Sequence, residues 1–341
     1  MPKITQAGWW LVVLWLALSF NTLRADTPTE AKVVGGVEHD MPDWFKESFL
    51  EIQEDIQEAA DANKHVMLFF HLNNCPYCAK MLDDNFLQEP LKSYIQKHFD
   101  VIAINIKGDR QVQYSKDLAF SEKELADNLE VSLTPTITFI NADNKTVARL
   151  NGYRSPAQFK PVLEYVANQT YKTEALSDYL AKQTPTNSYQ LQSNEAFKDL
   201  KDLSSVKTPL AVIFESTSCS DCMFLHETLL KNPEIQNELK AFTVVRFAAD
   251  DSTEIIDVQG NKTTPKDWLQ SLKLSYQPGI VLFDEGKEVS RLEGKLYNFH
   301  FQQFLNYVSS KGYKERSFPE HLGMRQEEQL KQGKTVNIGE N

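Results

Sequence analysis

The 341-residue sequence contains only four cysteines, and all of them lie in two Cys-x-x-Cys pairs. A protein held together by a disulfide framework would have more cysteines at wider spacings. A zinc ribbon would place its two pairs roughly 15–20 residues apart, whereas Cys78 and Cys219 are 141 residues apart. The sequence therefore argues against both classes, and we predict no metal site.

Positive charge and long apolar runs are also scarce. The net charge is −11, which argues against nucleic acid or an anionic membrane as partner. The one long apolar run, residues 8–20, follows Lys3 and is short for a membrane span. We predict that residues 1–25 are a cleaved secretory signal peptide; the alternative is an uncleaved anchor. Cleavage would leave the mature protein without stable membrane insertion in an oxidising compartment, predicted to be a bacterial periplasm.

Each cysteine pair lies at a strand-to-helix junction. The apolar run 66–70 precedes Cys75-Pro76-Tyr77-Cys78, and a helix-like stretch follows. Unpaired N–H groups and the dipole at a helix N-terminus favour a thiolate. We therefore predict that Cys75 is a nucleophile and Cys78 its resolving thiol in thiol–disulfide exchange. The alternative is a structural disulfide, although closing so short a loop gains little chain entropy.

The second pair, Cys219 and Cys222, follows the apolar run 212–214 in the same setting. Asp221 lies between the two cysteines, and its charge opposes a second negative charge on sulfur. A weaker nucleophile is expected. This pair is predicted to be a second redox centre, with a binding module that keeps its dithiol as the alternative. Two pairs in one chain would permit a relay.

The order of predicted elements repeats at an offset of 142–144 residues, which indicates two related domains. The cysteines match at 144, and Pro90 and Pro233 match at 143. The predicted organisation is a signal peptide at 1–25, a polar lead at 26–42, domain 1 at 43–168, a linker at 169–193, domain 2 at 194–310 and a polar tail at 311–341.

Hydrophobic periodicity predicts a helix from Asp43 to Asn63. The polar stretch 107–120 is predicted to be a loop, and the stretch 250–264 a polar insertion. The apolar stripe of the predicted helix consists of Phe45, Phe49, Ile52, Ile56 and Ala59.

Each half has the order β–α–β–α–β–β–α, with a motif at the first junction and an X-Pro step before the third strand. This order resembles the thioredoxin fold, an α/β fold with a mixed central sheet flanked by helices. The resemblance implies two tandem thioredoxin-like domains. The dipeptide inside the first motif is of the glutaredoxin type, whereas Thr134-Pro135-Thr136 looks more like the SoxW-like exported thioredoxins of the periplasm.

The resemblance implies that the proline before each third strand is cis and faces its dithiol. From the residues alone, a trans proline at the start of an edge strand stays the alternative. A cis turn would expose backbone beside the thiols, where an extended peptide could pair with it. The residues predicted to form the substrate grooves are Pro76, Tyr77, Thr134, Pro135, Gln277 and Pro278.

The sequence departs from the thioredoxin pattern at one position. Many thioredoxins have a buried acid six residues before the first cysteine, but Phe69 and Ile213 occupy those positions here. His71 and Glu215 lie four residues before instead, on the same side of their strands. They are candidate proton acceptors; for His71, the alternative is a simple polar residue at a strand end.

Together these features predict an exported thiol–disulfide oxidoreductase that reduces specific periplasmic clients. Its partners would be protein or small disulfides and a thiol donor that could be membrane-embedded, and no metal or organic cofactor is implied. The direction of electron flow does not follow from the motifs. The alternatives are a non-catalytic scaffold that binds peptides or assembly partners, and a disulfide isomerase.

Overall fold

The structure, a computed structural model, describes residues 30–183, 189–217, 219 and 221–339. The predicted signal peptide and part of the predicted linker, 184–188, lie outside the described residues. The first half consists, in chain order, of β1 (Val33–Val34), α1 (Ile52–Asp61), β2 (His65–His71), α2 (Pro76–Met81), α3 (Leu91–His98), β3 (Phe99–Asn105), β4 (Gln111–Ser115), β5 (Leu118–Ser121), α4 (Glu122–Asn128), β6 (Thr136–Ile140), β7 (Thr146–Asn151), α5 (Pro156–Ala167) and α6 (Leu176–Gln183).

The second half repeats this order. Its elements are β8 (Leu210–Glu215), α7 (Cys222–Phe224), α8 (Pro233–Leu239), β9 (Thr243–Ala248), β10 (Ile255–Ile256), β11 (Lys262–Thr263), α9 (Pro265–Ser271), β12 (Gly279–Asp284), β13 (Lys287–Leu292), α10 (Asn298–Ser309), α11 (Phe318–Lys331) and β14 (Val336–Asn337).

Each half is built on a four-stranded mixed sheet, in the order β3-β2-β6-β7 or β13-β12-β8-β9. The strand before each cysteine pair, β2 or β8, is central. It runs parallel to one neighbour, β3 or β9, and antiparallel to the other, β6 or β12. Both central strands are buried along nearly their whole length, because elements cover both faces of the sheet. The predicted α/β architecture is confirmed.

The repeat continues beyond the closing helices α5 and α10, into the predicted linker and tail. Each closing helix is followed by a 3-10 turn and a further helix, α6 or α11. The Tyr165 hydroxyl donates to the Glu174 carbonyl at 2.8 Å, and Tyr307 donates to the Arg316 carbonyl at 2.8 Å. Strand β14 pairs in parallel with β1, so the tail lies beside the N-terminal lead.

Three local predictions were wrong. The helix predicted from Asp43 begins only at Ile52, because Leu50 has a left-handed backbone with φ 62° that a helix cannot accommodate. Phe49 is 96% exposed and does not belong to the apolar stripe. The predicted loop 107–120 contains the hairpin β4–β5. The predicted polar insertion, which the structure does not contradict, contains β10–β11. These strands are polar because much of their surface faces solvent.

The two halves pack against each other where strands β7 and β13 lead into α5 and α10. Gly152 and Gly294 are equivalent positions, and a Cβ on Gly294 would lie 2.6 Å from the Asn151 carbonyl oxygen and 3.2 Å from Cα of Gly152. Arg154 is buried and donates to the Glu293 carbonyl at 2.6 Å. Only a residue without a side chain allows this approach of the two backbones.

The apolar core on the motif side of the two sheets is continuous from one half to the other. The described residues from Ala31 onward accordingly form one compact unit. Within the described ranges, no helix is long and apolar enough to cross a membrane.

Because its added methyl group would meet backbone, Gly294→Ala is expected to lower the free energy of unfolding by about 1–3 kcal/mol, as overpacking does. Urea denaturation measures the change. Gly323→Ala is the matched control: it lies inside α11 with nothing within 4 Å of its Cβ, so the substitution should stabilise by about 0.5–1 kcal/mol. Equal effects of the two substitutions would contradict the close backbone contact.

Candidate active site

A tight turn between β2 and α2 positions the first cysteine pair. Asn74 has φ 58°, a left-handed conformation that asparagine tolerates better than most residues. Cys75 is the N-cap of α2, and Pro76 occupies its first turn, where a missing N–H is harmless. The Cys78 N–H donates to Sγ of Cys75 at 3.1 Å. A sulfur thus satisfies one of the unpaired donors at the helix start.

Cys75 and Cys78 form a disulfide in which only Cys75 reaches the surface, with 5% exposure against 0%. The Thr134–Pro135 peptide is cis, as predicted. Thr134 presents its hydroxyl 3.4 Å and its carbonyl oxygen 3.7 Å from Sγ of Cys75. The sulfur of Cys75 therefore lies directly beside the backbone of the cis-proline loop.

The second pair resembles the first, but helix α7 begins only at Cys222 with Asp221 as its N-cap, so Cys219 precedes the helix. Cys219 and Cys222 form a disulfide, and the Cys222 N–H donates to Sγ of Cys219 at 3.0 Å. Cys219 is 4% exposed and Cys222 is fully buried. The Gln277–Pro278 peptide is cis, as predicted, and the Gln277 side chain accepts a hydrogen bond from Ser216 at 2.7 Å.

The end of the predicted linker covers the second pair. Tyr189 is buried and forms an apolar cluster with Cys219 and Cys222, against which Leu191 packs. The Tyr189 N–H donates to the Thr217 carbonyl at 2.7 Å. The linker end therefore contacts the second disulfide.

Tyr77 does not face a free substrate surface, contrary to the prediction. It is 5% exposed and stacks on Tyr297 of the second half, with ring centroids 4.5 Å apart. Its hydroxyl lies 3.0 Å from Nδ1 of His300 and accepts the Tyr297 N–H at 2.8 Å. The prediction was wrong because the second half packs over this side of the first motif, which a local sequence pattern does not show.

Asp221 makes the reciprocal contact. It follows Tyr77 by 144 positions, as Cys219 follows Cys75. Its Oδ2 accepts hydrogen bonds from Gln158 Nε2 of the first half at 2.8 Å and from the Tyr276 hydroxyl at 2.6 Å. Burial, and then the Asp221 charge, hold the pKa of Tyr276 well above its usual range, so this phenol stays a donor.

The two candidate proton acceptors have different surroundings. Burial lowers the pKa of His71 to about 4, and its ring contacts those of Phe69 and His39. Glu215 is fully buried, and its Oε1 lies 2.7 Å from Nε2 of His226. Breaking such a buried pair leaves an uncompensated group and is strongly destabilising. The second half therefore has a buried acid–imidazole pair, and the first half has a lone imidazole.

The sequence analysis missed several residues that the structure places at the motifs. His226 was detectable, because it lies one helical turn after Cys222 and shares its helix face. The residues that contact the other half are not identified by any local pattern in the sequence. Among the described residues, no three His, Cys, Asp or Glu side chains are grouped to hold a metal ion. The missed residues are Gln158, Tyr189, His226, Tyr276, Tyr297 and His300.

A family model described as a thioredoxin-like domain matches residues 52–167 and again residues 196–309. The chain belongs to the thioredoxin-like family. It consists of two tandem thioredoxin-like domains, as predicted; the SoxW-like subgroup stays a prediction. The fold and its two Cys-x-x-Cys pairs support thiol–disulfide oxidoreductase chemistry in general. No curated protein matches the chain.

Solved structures similar to parts of the chain include a thioredoxin-fold protein from Helicobacter pylori, at 27% identity over 40% of this chain and 93% of that one, with a TM-score of 0.33. A thioredoxin from Thermus thermophilus is 26% identical over 33% of this chain and 81% of that one, with a TM-score of 0.27. A structure described as DsbH oxidoreductase is 21% identical over 46% of this chain and 96% of that one, with a TM-score of 0.27.

The contact between Tyr77 and His300 predicts a pH dependence of stability. Burial lowers the pKa of His300 to about 4, against about 6.5 in an unfolded chain. Between these values the unfolded state binds more protons, so stability falls as the pH drops from 6.5 towards 4. His300→Gln keeps an acceptor for the Tyr77 hydroxyl and removes the titration, so its unfolding free energy should fall less steeply over this range. Wild-type and variant curves that run parallel in urea denaturation at several pH values would contradict this assignment.

Proposed function

We propose that the protein is an exported thiol–disulfide oxidoreductase that reduces the disulfides of specific client proteins in a bacterial periplasm. The observation that carries this proposal is the position of Cys75 Sγ. It accepts the N–H of Cys78 at the start of a helix and lies 3.4 Å from the Thr134 hydroxyl. A thiolate formed there would be stabilised by the helix N-terminus and would face a backbone edge that can bind an extended peptide.

The reaction is a two-step exchange. In the reduced enzyme, the Cys75 thiolate attacks one sulfur of a client disulfide, and the other client sulfur leaves as a thiolate that takes up a proton. The Cys78 thiol then loses its proton and attacks Sγ of Cys75. This step releases the reduced client and forms the Cys75–Cys78 disulfide. An external thiol donor, which could be membrane-embedded, returns two electrons and completes the cycle.

The proposed client site is the cis-proline loop beside each motif. In the first domain, the backbone of Thr134 would pair with an extended client, the cis Pro135 would hold that backbone in place, and Pro76 would shape the turn that carries Cys75. In the second domain, Gln277 and Pro278 are the equivalent positions. Tyr77 stays outside this groove because the second domain buries it.

The second pair is proposed to exchange with the first pair, with a second client or with the donor. The two motifs adjoin the same domain interface, since Tyr77 contacts His300 and Asp221 contacts Gln158, and this arrangement favours communication between them. The Glu215–His226 pair would take the proton that the second dithiol releases on oxidation; in the first domain His71 is the candidate.

A non-catalytic scaffold is the second candidate function. It is favoured by the low exposure of both outer sulfurs, 5% for Cys75 and 4% for Cys219. In that case the disulfides would stay closed, and the thioredoxin-like surfaces would bind peptides or assembly partners. Reduction of the insulin disulfides separates the two functions, and refolding of scrambled ribonuclease tests the isomerase alternative.

Cys75→Ser is expected to reduce the insulin-reduction rate to background, because serine cannot form the mixed disulfide. The matched variant Cys219→Ser removes the equivalent sulfur of the covered pair and should keep part of the activity. Equal and negligible rates for the wild type and Cys75→Ser would favour the scaffold instead.

Cys78→Ser is expected to stall the reaction at the mixed disulfide and to hold clients covalently on Cys75. Gel electrophoresis without reductant, followed by mass spectrometry, identifies these adducts. Adding Cys75→Ser to the same variant is the control and should release every adduct. Adducts that persist in the double variant would assign the attack to another sulfur.

A further inference from the structure

We propose that the first domain sets the reduction potential of the second cysteine pair through Gln158, which binds the Asp221 carboxylate inside the second motif. This inference deepens the proposed function and rests on it, because it requires Cys219 and Cys222 to exchange electrons. Gln158 would be a positioning residue: it touches neither sulfur and acts through the charge of Asp221.

The orientation of the Gln158 amide follows from its two sets of partners. Its Oε1 accepts hydrogen bonds from the N–H and the hydroxyl of Ser155, at 2.9 and 3.0 Å, and so caps helix α5. Its Nε2 must then point away from Ser155, and it donates to Oδ2 of Asp221 at 2.8 Å. The helix cap in one domain therefore aims a donor at the motif of the other.

Asp221 has a second donor and a nearby cation. The Tyr276 hydroxyl donates to the same Oδ2 at 2.6 Å. The Arg154 guanidinium, from the first domain, lies 4.2 Å from the centre of the Tyr276 ring and is itself buried. Arg154 also interacts electrostatically with Asp221, and both Gln158 and Arg154 belong to the first domain. In a buried interface such donors offset charge more strongly than in water.

The effect on the sulfurs follows from charge. With glutathione as reductant, the second disulfide and two glutathione thiols give the Cys219 thiolate, the Cys222 thiol, one glutathione disulfide and one proton. The Asp221 charge opposes the new thiolate two residues away. Donors that bind Asp221 weaken this opposition and stabilise the reduced pair. Removing the Gln158 donor should therefore make the second disulfide harder to reduce.

The first motif provides an internal comparison. Tyr77 occupies the position equivalent to Asp221, and His300 follows Gln158 by 142 positions, the offset of the closing helices. The contacts are reciprocal, as in an interface related by a two-fold axis. Because Tyr77 is a neutral phenol, the contact with His300 holds no carboxylate beside Cys75. His300→Gln should leave the potential of the first pair unchanged.

The test uses the full chain with Cys75→Ser and Cys78→Ser, so that only the second pair titrates in glutathione redox buffers. Gln158→Glu keeps the acceptor for Ser155 but places a negative charge against Asp221. We expect the equilibrium constant for reduction to fall about tenfold, or about 30 mV towards more negative potential. Gln57→Glu is the matched control: it is the same substitution on the exposed face of α1 in the same domain, and should change nothing.

Two further variants make the outcome decisive. Tyr276→Phe removes one hydroxyl and keeps the ring under Arg154, so it should shift the equilibrium in the same direction, by about threefold, even if Gln158→Glu fails to fold. Asp221→Asn should shift it in the opposite direction. In the Asp221→Asn background, the effect of Gln158→Glu should be largely lost, as a double-mutant cycle reports.

Several results would overturn the inference. If the second pair exchanges with glutathione but a folded Gln158→Glu variant does not change its potential, if Tyr276→Phe does not change it, or if the Gln158→Glu shift is the same in the Asp221→Asn background, the inference alone is wrong. If the pair fails to exchange in the parent protein, its proposed redox role is wrong and the inference is wrong with it.

Discussion

At the start of a helix in each domain, a backbone N–H binds a cysteine sulfur, and the rest of the site depends on this bond. The two distances agree closely, 3.1 Å to Cys75 and 3.0 Å to Cys219. Such a donor prefers a negatively charged acceptor, so the contact that holds the disulfide would strengthen once reduction leaves a thiolate. The buried central strand positions the turn before the helix. Its antiparallel neighbour begins directly after the cis proline, which brings the peptide-pairing backbone to the same sulfur.

The two domains keep this geometry but differ in the charged and polar groups placed around it. The second domain has groups that can carry charge or move protons at three positions. These are the position four residues before the first cysteine, the third residue of the motif, and the position one helical turn after the second cysteine. An acid beside the sulfur opposes a thiolate, whereas a buried acid–imidazole pair can exchange protons. The two dithiols should therefore differ in potential although their backbones match. The residues at these positions are His71, Tyr77 and Leu82 in the first domain, and Glu215, Asp221 and His226 in the second.

Local patterns predicted the repeat, both sheets and the position of Cys75 at a helix start, because these features depend on neighbours in sequence. The family resemblance, and not the local pattern, predicted the two cis prolines. Patterns failed where another part of the chain decides the outcome. Phe49 fits a helical stripe, but the left-handed Leu50 ends that stripe. Tyr77 is an aromatic residue inside the motif and was predicted to face the client, but the second domain covers it. An apolar or aromatic position signals burial without saying which surface buries it.

Two parts of the chain cover the cysteine pairs: the neighbouring domain and the linker end at Tyr189. They are held by different contacts, and this difference affects how a client could reach each pair. Separating the domains would expose the apolar core that is continuous between them and would break the hydrogen bond from Arg154 to the Glu293 carbonyl, and exposing apolar surface to water costs about 25 cal/mol per Å². Lifting the segment at Tyr189 breaks the hydrogen bond from its N–H to the Thr217 carbonyl, a small apolar cluster, the ring contact with His226 and a hydrogen bond between Gln192 and Glu227, and one hydrogen bond contributes only about 0.5–1.5 kcal/mol. The second pair is therefore uncovered more cheaply by moving the linker end than by moving a domain.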